Sequence, residues 1–266
     1  MLPIVKAVVV CWLIFCAETA LAQKTETMVS NLGQIANSAQ SFGSAFNTNM
    51  SVAGAFLTDN TPGLLSTISV KLFGDSHPFG GLGACNISLY SDSGGQPGGS
   101  LATLSGNNYP TNVGSYTFTN TSPLALLPNT TYWVVASSPD SVSNAVYSFG
   151  LAANNATDAG SFWTIGVHKY KIGNESWFTG PGYAQISVAV TPQAPALSIS
   201  RTAAAGSRPI DVTFPTPDFP FTLKQNSALT TNWVNATGAV ILQSNQMTIV
   251  SVPISGQRMF FRLILQ

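Results

Sequence analysis

The chain reads as all-β: an antiparallel, jelly-roll-like β-sandwich followed by a small C-terminal β domain. Three observations lead there. Short runs of alternating apolar residues recur along the sequence. Clusters of Gly, Pro, Asn and Asp separate them at close intervals, as tight turns between strands require. No helical apolar period alternates with these runs, which argues against a parallel α/β sheet.

Met1–Ala22 has an early cation, Lys6, then an apolar run from Ala7 to Cys16, then Ala20-Leu21-Ala22. These are the regions of a secretory signal peptide, with cleavage expected after Ala22. The apolar run is about 10 residues, short of the roughly 20 that span a bilayer. A lipoprotein reading through Cys16 meets Phe15 where a small residue is needed. No later segment is long and apolar enough to be a membrane helix, so no transmembrane segment is expected after cleavage.

Residues 27–42 are polar with scattered apolar positions and suit a first strand or a short helix. From Val52 onward the strand pattern takes over. Ile68, Val70 and Leu72 alternate, as do Ile87 and Leu89, Tyr116 and Phe118, and Ile186, Val188 and Val190. Tyr132–Val135 is continuous, as a strand buried on both faces would be. Turns are expected at Ser93-Gly94-Gly95, Pro97-Gly98-Gly99, Gly106-Asn107-Asn108 and Leu127-Pro128-Asn129. The first two together place a turn over Asp92–Gly99, between strands at Ile87–Tyr90 and near Leu101–Leu104. The sandwich is thus expected over residues 27–191, a linker over 192–195, and the small β module over 196–266. In that module strands are expected at Leu197–Ser200, Ile210–Phe214, Phe221–Gln225, Met247–Val252 and Met259–Leu265.

Charged residues are 8% of the chain and sum to zero, against about 25% in an average domain. Nucleic-acid binding needs clustered Lys and Arg. The nearest approach, His168-Lys169-Tyr170-Lys171, reads as a solvated strand end, so no nucleic-acid partner is expected. Once the signal is removed Cys85 is the single cysteine, which excludes an intramolecular disulfide; its setting reads as a buried thiol in or beside a strand.

Motifs for catalysis or cofactors are absent: no Gly-x-Ser-x-Gly, His-Glu-x-x-His, Cys-x-x-Cys or P-loop. No catalytic residue and no cofactor is therefore assigned. The histidines are His77 and His168. Asp75-Ser76-His77 holds the residue types of a triad, but a triad converges from distant segments, and this Gly/Pro-flanked run reads as a turn. Glycoside hydrolysis needs two carboxylates about 5–10 Å apart. The aspartates here sit in turn contexts, among them Asp59, Asp92, Asp140 and Asp158. Asp92 and Asp158 are the weak candidates for a structural Ca²⁺ with backbone carbonyls, although EF-hand spacing is lacking. Aromatics are the better lead. Tyr109, Trp163, Tyr170, Trp177, Phe178 and Tyr183 lie in loop-rich or strand-end surroundings. Of these, Trp163, Tyr170, Trp177 and Tyr183 are the candidate stacking platforms for sugar rings; as core they would simply fill the sandwich. Seven Asn-x-Ser/Thr sequons, from Asn49 to Asn235, follow from the Ser/Thr/Asn-rich composition.

Two blocks carry a family resemblance. Tyr90–Gly106 and Ser115–Val135, with Phe162–Gly166 and Trp177 beyond them, resemble the choice-of-anchor R domain of secreted bacterial proteins over roughly residues 30–191. The resemblance implies an extracellular domain and no known activity. Pro-Glu-Pro and Leu-Pro-x-Thr-Gly sorting motifs are missing here. The frame Phe221–Leu229, then Trp233 and Phe260–Leu263, is similar to a small module at the C-termini of secreted proteins of environmental bacteria. The expected function is therefore a non-catalytic extracellular or cell-envelope structural or adhesion protein. The alternative is a carbohydrate-binding module, and a secreted hydrolase comes third. The partner implied is an extracellular glycan or an envelope component.

Overall fold

The structure is a computed structural model, which describes residues 24–45, 48–73, 84–138, 145–194, 196–201, 209–216, 221–227, 232–236, 240–244, 247–253 and 259–265. Met1–Ala22, expected as a signal peptide, the Asp75–His77 run, expected as a turn, and Asp140 lie outside the described residues. The described residues are all β, with no helix among them.

The chain opens with β1 (Glu26–Ser30), β2 (Ala36–Ala45), β3 (Thr48–Leu57), β4 (Gly63–Phe73), β5 (Asn86–Asp92), β6 (Pro97–Thr103) and β7 (Ser105–Gly106). There follow β8 (Gly114–Thr119), β9 (Ala125–Leu126), β10 (Thr131–Ser137), β11 (Ala145–Ala152), β12 (Thr164–Ile172), β13 (Phe178–Thr179), β14 (Tyr183–Ala184) and β15 (Ile186–Pro192). The last part holds β16 (Ser198–Arg201), β17 (Pro209–Pro215), β18 (Phe221–Asn226), β19 (Val234–Asn235), β20 (Val240–Ser244), β21 (Met247–Pro253) and β22 (Phe260–Leu265). Residues 27–42, open between strand and helix on sequence, form β1 and most of β2.

All pairing is antiparallel, and β1–β15 share one hydrogen-bonded path that folds into two layers. One layer runs β1-β15-β4-β8-β7, with β9 beside β4. The other runs β6-β5-β10-β3-β12-β13. β2 and β11 join them at a corner, β2 through β3 and β11 through the end of β4. The alternating residues seen in the sequence turn inward. Ile68, Val70, Leu72 and Val188 from one layer and Val52, Phe56, Leu89 and Val134 from the other form a single core. Such burial is the main favourable term, about 1.5–3 kcal/mol for each large apolar side chain. β10 is buried on both faces, because β3 and β5 flank it and a second, outer cluster covers its back.

The turn expected over Asp92–Gly99 is shorter than that. Ser93 N–H donates to the Gln96 carbonyl at 2.8 Å, and Gly94 and Gly95 take φ of 64° and 78°, a region in which only glycine is free of strain. Pro97-Gly98-Gly99 already belongs to β6. Proline is tolerated there because it is the first residue of an edge strand. Strand pairing also runs one residue into the expected linker. Pro192 pairs with Gly63, and Gln193 N–H donates to the Pro62 carbonyl.

The C-terminal part has its own sheets, β16-β17-β21-β20 and β19-β18-β22. They enclose Val212, Phe214, Leu223, Val250 and Val252. No described strand pairs across to the sandwich. Phe221, however, packs against the sandwich core.

Candidate ligand-binding face

The outer face of the β6-β5-β10-β3-β12-β13 layer is built from register. Trp133 opposes Ala55 and Tyr90, and Val135 opposes Ala53 and Ser88. Ala53, Ala55, Trp133 and Val135 form a small apolar cluster there, with Tyr90 and Trp177 packed against it. Trp133 is only 1% exposed, and its Nε1–H donates to Asp92 Oδ1 at 2.7 Å.

A β-bulge decides what β12 contributes. Ile165 opposes Phe56 and His168 opposes Gly54, so two residues, Gly166 and Val167, face Ala55 alone. The extra residue inverts the alternation beyond it. Ile165 and His168 are both buried, while Val167 is exposed. A side chain at 166 would bring its Cβ within 2.8 Å of the Ala55 Cβ, so the bulge needs glycine there. Lys169 then opposes Ala53 and Thr179, and Lys171 opposes Ser51. Both lysines therefore lie on the outer face with the aromatic cluster. The His168–Lys171 run is not the solvated strand end that its composition suggests.

After β12 the chain turns at Gly173, with φ of 57°, and the hairpin loop lays Trp177 over the outer face. Lys171 Nζ sits 5.2 Å from the Trp177 ring centroid, a cation–π contact of about 0.5–1 kcal/mol at an exposed site.

The four candidate stacking aromatics separate. Trp163 is 2% exposed and lies in the core, stacked on Phe56 at 5.7 Å with the rings 1° from parallel. It has no face to offer a ligand. Tyr170 is half-buried, tilted on Phe178 and packed on the core. Tyr183 likewise packs on the core from β14. Trp177 alone of the four belongs to the outer cluster. Sequence reading missed Tyr90, Lys169 and Lys171, whose place follows only from register and the bulge.

The candidate metal ligands do not converge on oxygen atoms. Asp92 Oδ2 accepts the Gly95 N–H at 3.0 Å while Oδ1 holds Trp133. Asp158 accepts the Ser30 hydroxyl at 2.6 Å, the Gly33 N–H at 3.1 Å and the Gln34 amide at 3.4 Å. These are N–H and O–H donors, the reverse of the oxygen cage that Ca²⁺ requires. Among the described residues no three His, Cys, Asp or Glu side chains gather as metal ligands.

Two further reactive groups are enclosed. Burial pushes the Cys85 thiol up to about 12. His168 is 0% exposed; its Nδ1–H faces the Gly182 carbonyl at 3.1 Å, and Nε2 is buried without a partner. Burial lowers its pKa below the ordinary 6.5, with the Gly182 carbonyl pulling the other way. Comparison with protein families, with curated proteins and with solved structures returned no match.

Proposed function

We propose that this chain is a non-catalytic extracellular or cell-envelope protein in which the sandwich serves as a structural or adhesion module. The observation that supports this most is that, among the described residues, His168, Asp92, Asp158 and Cys85 are engaged in structure or buried. His168 is enclosed against Gly182. Asp92 and Asp158 tie a turn and two loops, and the Cys85 thiol is buried. General acid–base catalysis needs such groups within reach of a substrate at a working pKa. The signal-like Met1–Ala22 segment and the resemblance to choice-of-anchor R domains support the extracellular setting. The test has two parts. Mass spectrometry of the exported protein should find a start near Gln23, and an intact Met1 in a cytosolic fraction would overturn the setting. Turnover of a panel of esters and glycosides should stay at background. Activity that His168→Gln abolishes while the fold is retained would replace this reading by a hydrolase.

A second reading, a carbohydrate-binding module, is favoured by one specific feature. Trp177 and Tyr90 stay half-exposed on a sheet face whose other aromatic is buried beneath them. Rings set on the outer face of a β-sheet offer the apolar face of a pyranose a place to stack.

A further inference from the structure

We infer that the outer face of the β6-β5-β10-β3-β12-β13 layer takes an acidic polysaccharide, its sugar rings against Trp177 and Tyr90 and its anionic groups against Lys169 and Lys171. This rests on the carbohydrate-binding reading and names the class of glycan.

Charge on this face carries the argument. The chain has 10 Lys and Arg in 266 residues, yet two of them stand two positions apart on β12 and on one face. Residues i and i+2 of a strand are about 7 Å apart, within the Debye length of about 8 Å at physiological salt. Like charges at that range repel. A structural role would call for a carboxylate between them, and among the described residues neither lysine forms an ion pair. Glu175, exposed in the hairpin loop, stays unpaired with them. Asp92 lies on β5, with β10 and β3 in between, and both its oxygens are engaged.

The aromatic half of the site is fixed from below. Trp133 is locked by Asp92. Tyr90 and Trp177 pack on the cluster Trp133 belongs to, and Lys171 leans over the Trp177 ring. Ring and cation thus adjoin, so one saccharide unit can meet both. The other layer differs. At the same kind of outward position it carries Ser69 bonded to Thr117 across β4 and β8, with their hydroxyls 2.7 Å apart. Farther along the same outward row β4 carries Lys71 and Phe73, half-buried near Gly150, but the two cations spaced two positions apart stand on the β12 face.

Affinity electrophoresis of the whole chain tests this, in gels holding polygalacturonate, dextran sulfate, a neutral β-glucan or no polymer. Polygalacturonate should retard the protein, and added salt should weaken that retardation. Lys169→Gln with Lys171→Gln should weaken it about tenfold, a size set by two partly exposed charge contacts, with the protein still folded and its melting temperature lowered by no more than the lost Lys171–Trp177 contact accounts for. Trp177→Ala should weaken it as well, with Trp177→Phe as the milder variant if the alanine loosens the hairpin. Equal retardation by the neutral glucan, indifferent to both lysines, would overturn the acidic class and leave sugar binding standing. No retardation by any polymer would overturn both. Retardation by dextran sulfate that needs the lysines but ignores Trp177 would mean unspecific polyanion binding and overturn the proposal.

Discussion

The thiol of Cys85 sits at zero exposure in the sandwich core, held there as the backbone N–H donates to the Asn108 carbonyl at 2.7 Å. Thiolate is the reacting species of a cysteine. Moving the group from 9.0 to about 12 cuts its thiolate fraction at neutral pH about a thousandfold. We therefore expect a disulfide reagent to label the folded protein at least a thousandfold more slowly than the urea-unfolded chain. Labelling of the native chain within seconds would contradict the burial. Single residues also show where sequence reading stops. The tryptophans Trp163 and Trp177 sit in similar loop-rich sequence, yet one stacks on Phe56 in the core and the other roofs the outer face. Nothing local separates them. Trp163 is placed by its backbone N–H, which reaches the Met28 carbonyl at 3.0 Å from far along the chain.

At the scale of elements, β12 and the hairpin after it hang together through His168. Its Nδ1–H meets the Gly182 carbonyl, and the Gly180 N–H donates to the carbonyl of His168. Gly180 lies so close over the imidazole that any side chain there would collide with the ring. Protonation would place a second N–H at Nε2, where no acceptor waits. The pKa is thus lowered in the folded chain, chiefly by burial. The unfolded chain binds more protons as pH falls below the ordinary 6.5, so the stability this group contributes is full above that value and declines as pH falls through the folded pKa. Thermal melts from about pH 8 to about pH 5 should show a decline that is smaller in His168→Gln, across the range in which histidine titrates. Identical slopes in both proteins would refute it. The same strand explains a misreading from sequence. Unbroken alternation would turn Val167 inward with Ile165 and leave His168 to solvent. The bulge at Gly166 reverses the sense, and a bulge leaves little mark in a sequence beyond a glycine. The alternating parts of β4 and β15, by contrast, were legible, since Ile68, Val70, Ile186 and Val188 keep their period and their burial, although the register shift between Ala189 and Val190 left no mark either.

Over the whole molecule, the all-β class was legible because turn residues mark nearly every strand end. The closure of the sandwich was not. It depends on β2 and β11 bridging the layers, a pairing between segments more than a hundred residues apart that no local pattern encodes. The division of the chain is written in both, though differently. Sequence places the boundary at two prolines, Pro192 and Pro195. In the fold Pro192 still belongs to β15 and Gln193 is bonded back to Pro62, so Ala194 is the first described residue past that hold. Ala194 and Ala196 are exposed, and exposed backbone outside a sheet is where proteases cut. Elastase should therefore cleave first near Ala194–Ala196 and leave the sandwich as a protected fragment. Phe221 reaches across and packs on the sandwich core, and a half-buried phenylalanine contributes on the order of 1–2 kcal/mol. If that contact steadies the junction, Phe221→Ala should speed the first cut up to about tenfold, as the populated open form rises. The melting of the sandwich itself should stay unchanged, because its sheets take no strand from the C-terminal part. First cuts inside the sandwich, or a sandwich that melts earlier without Phe221, would mean that the two parts form one cooperative unit.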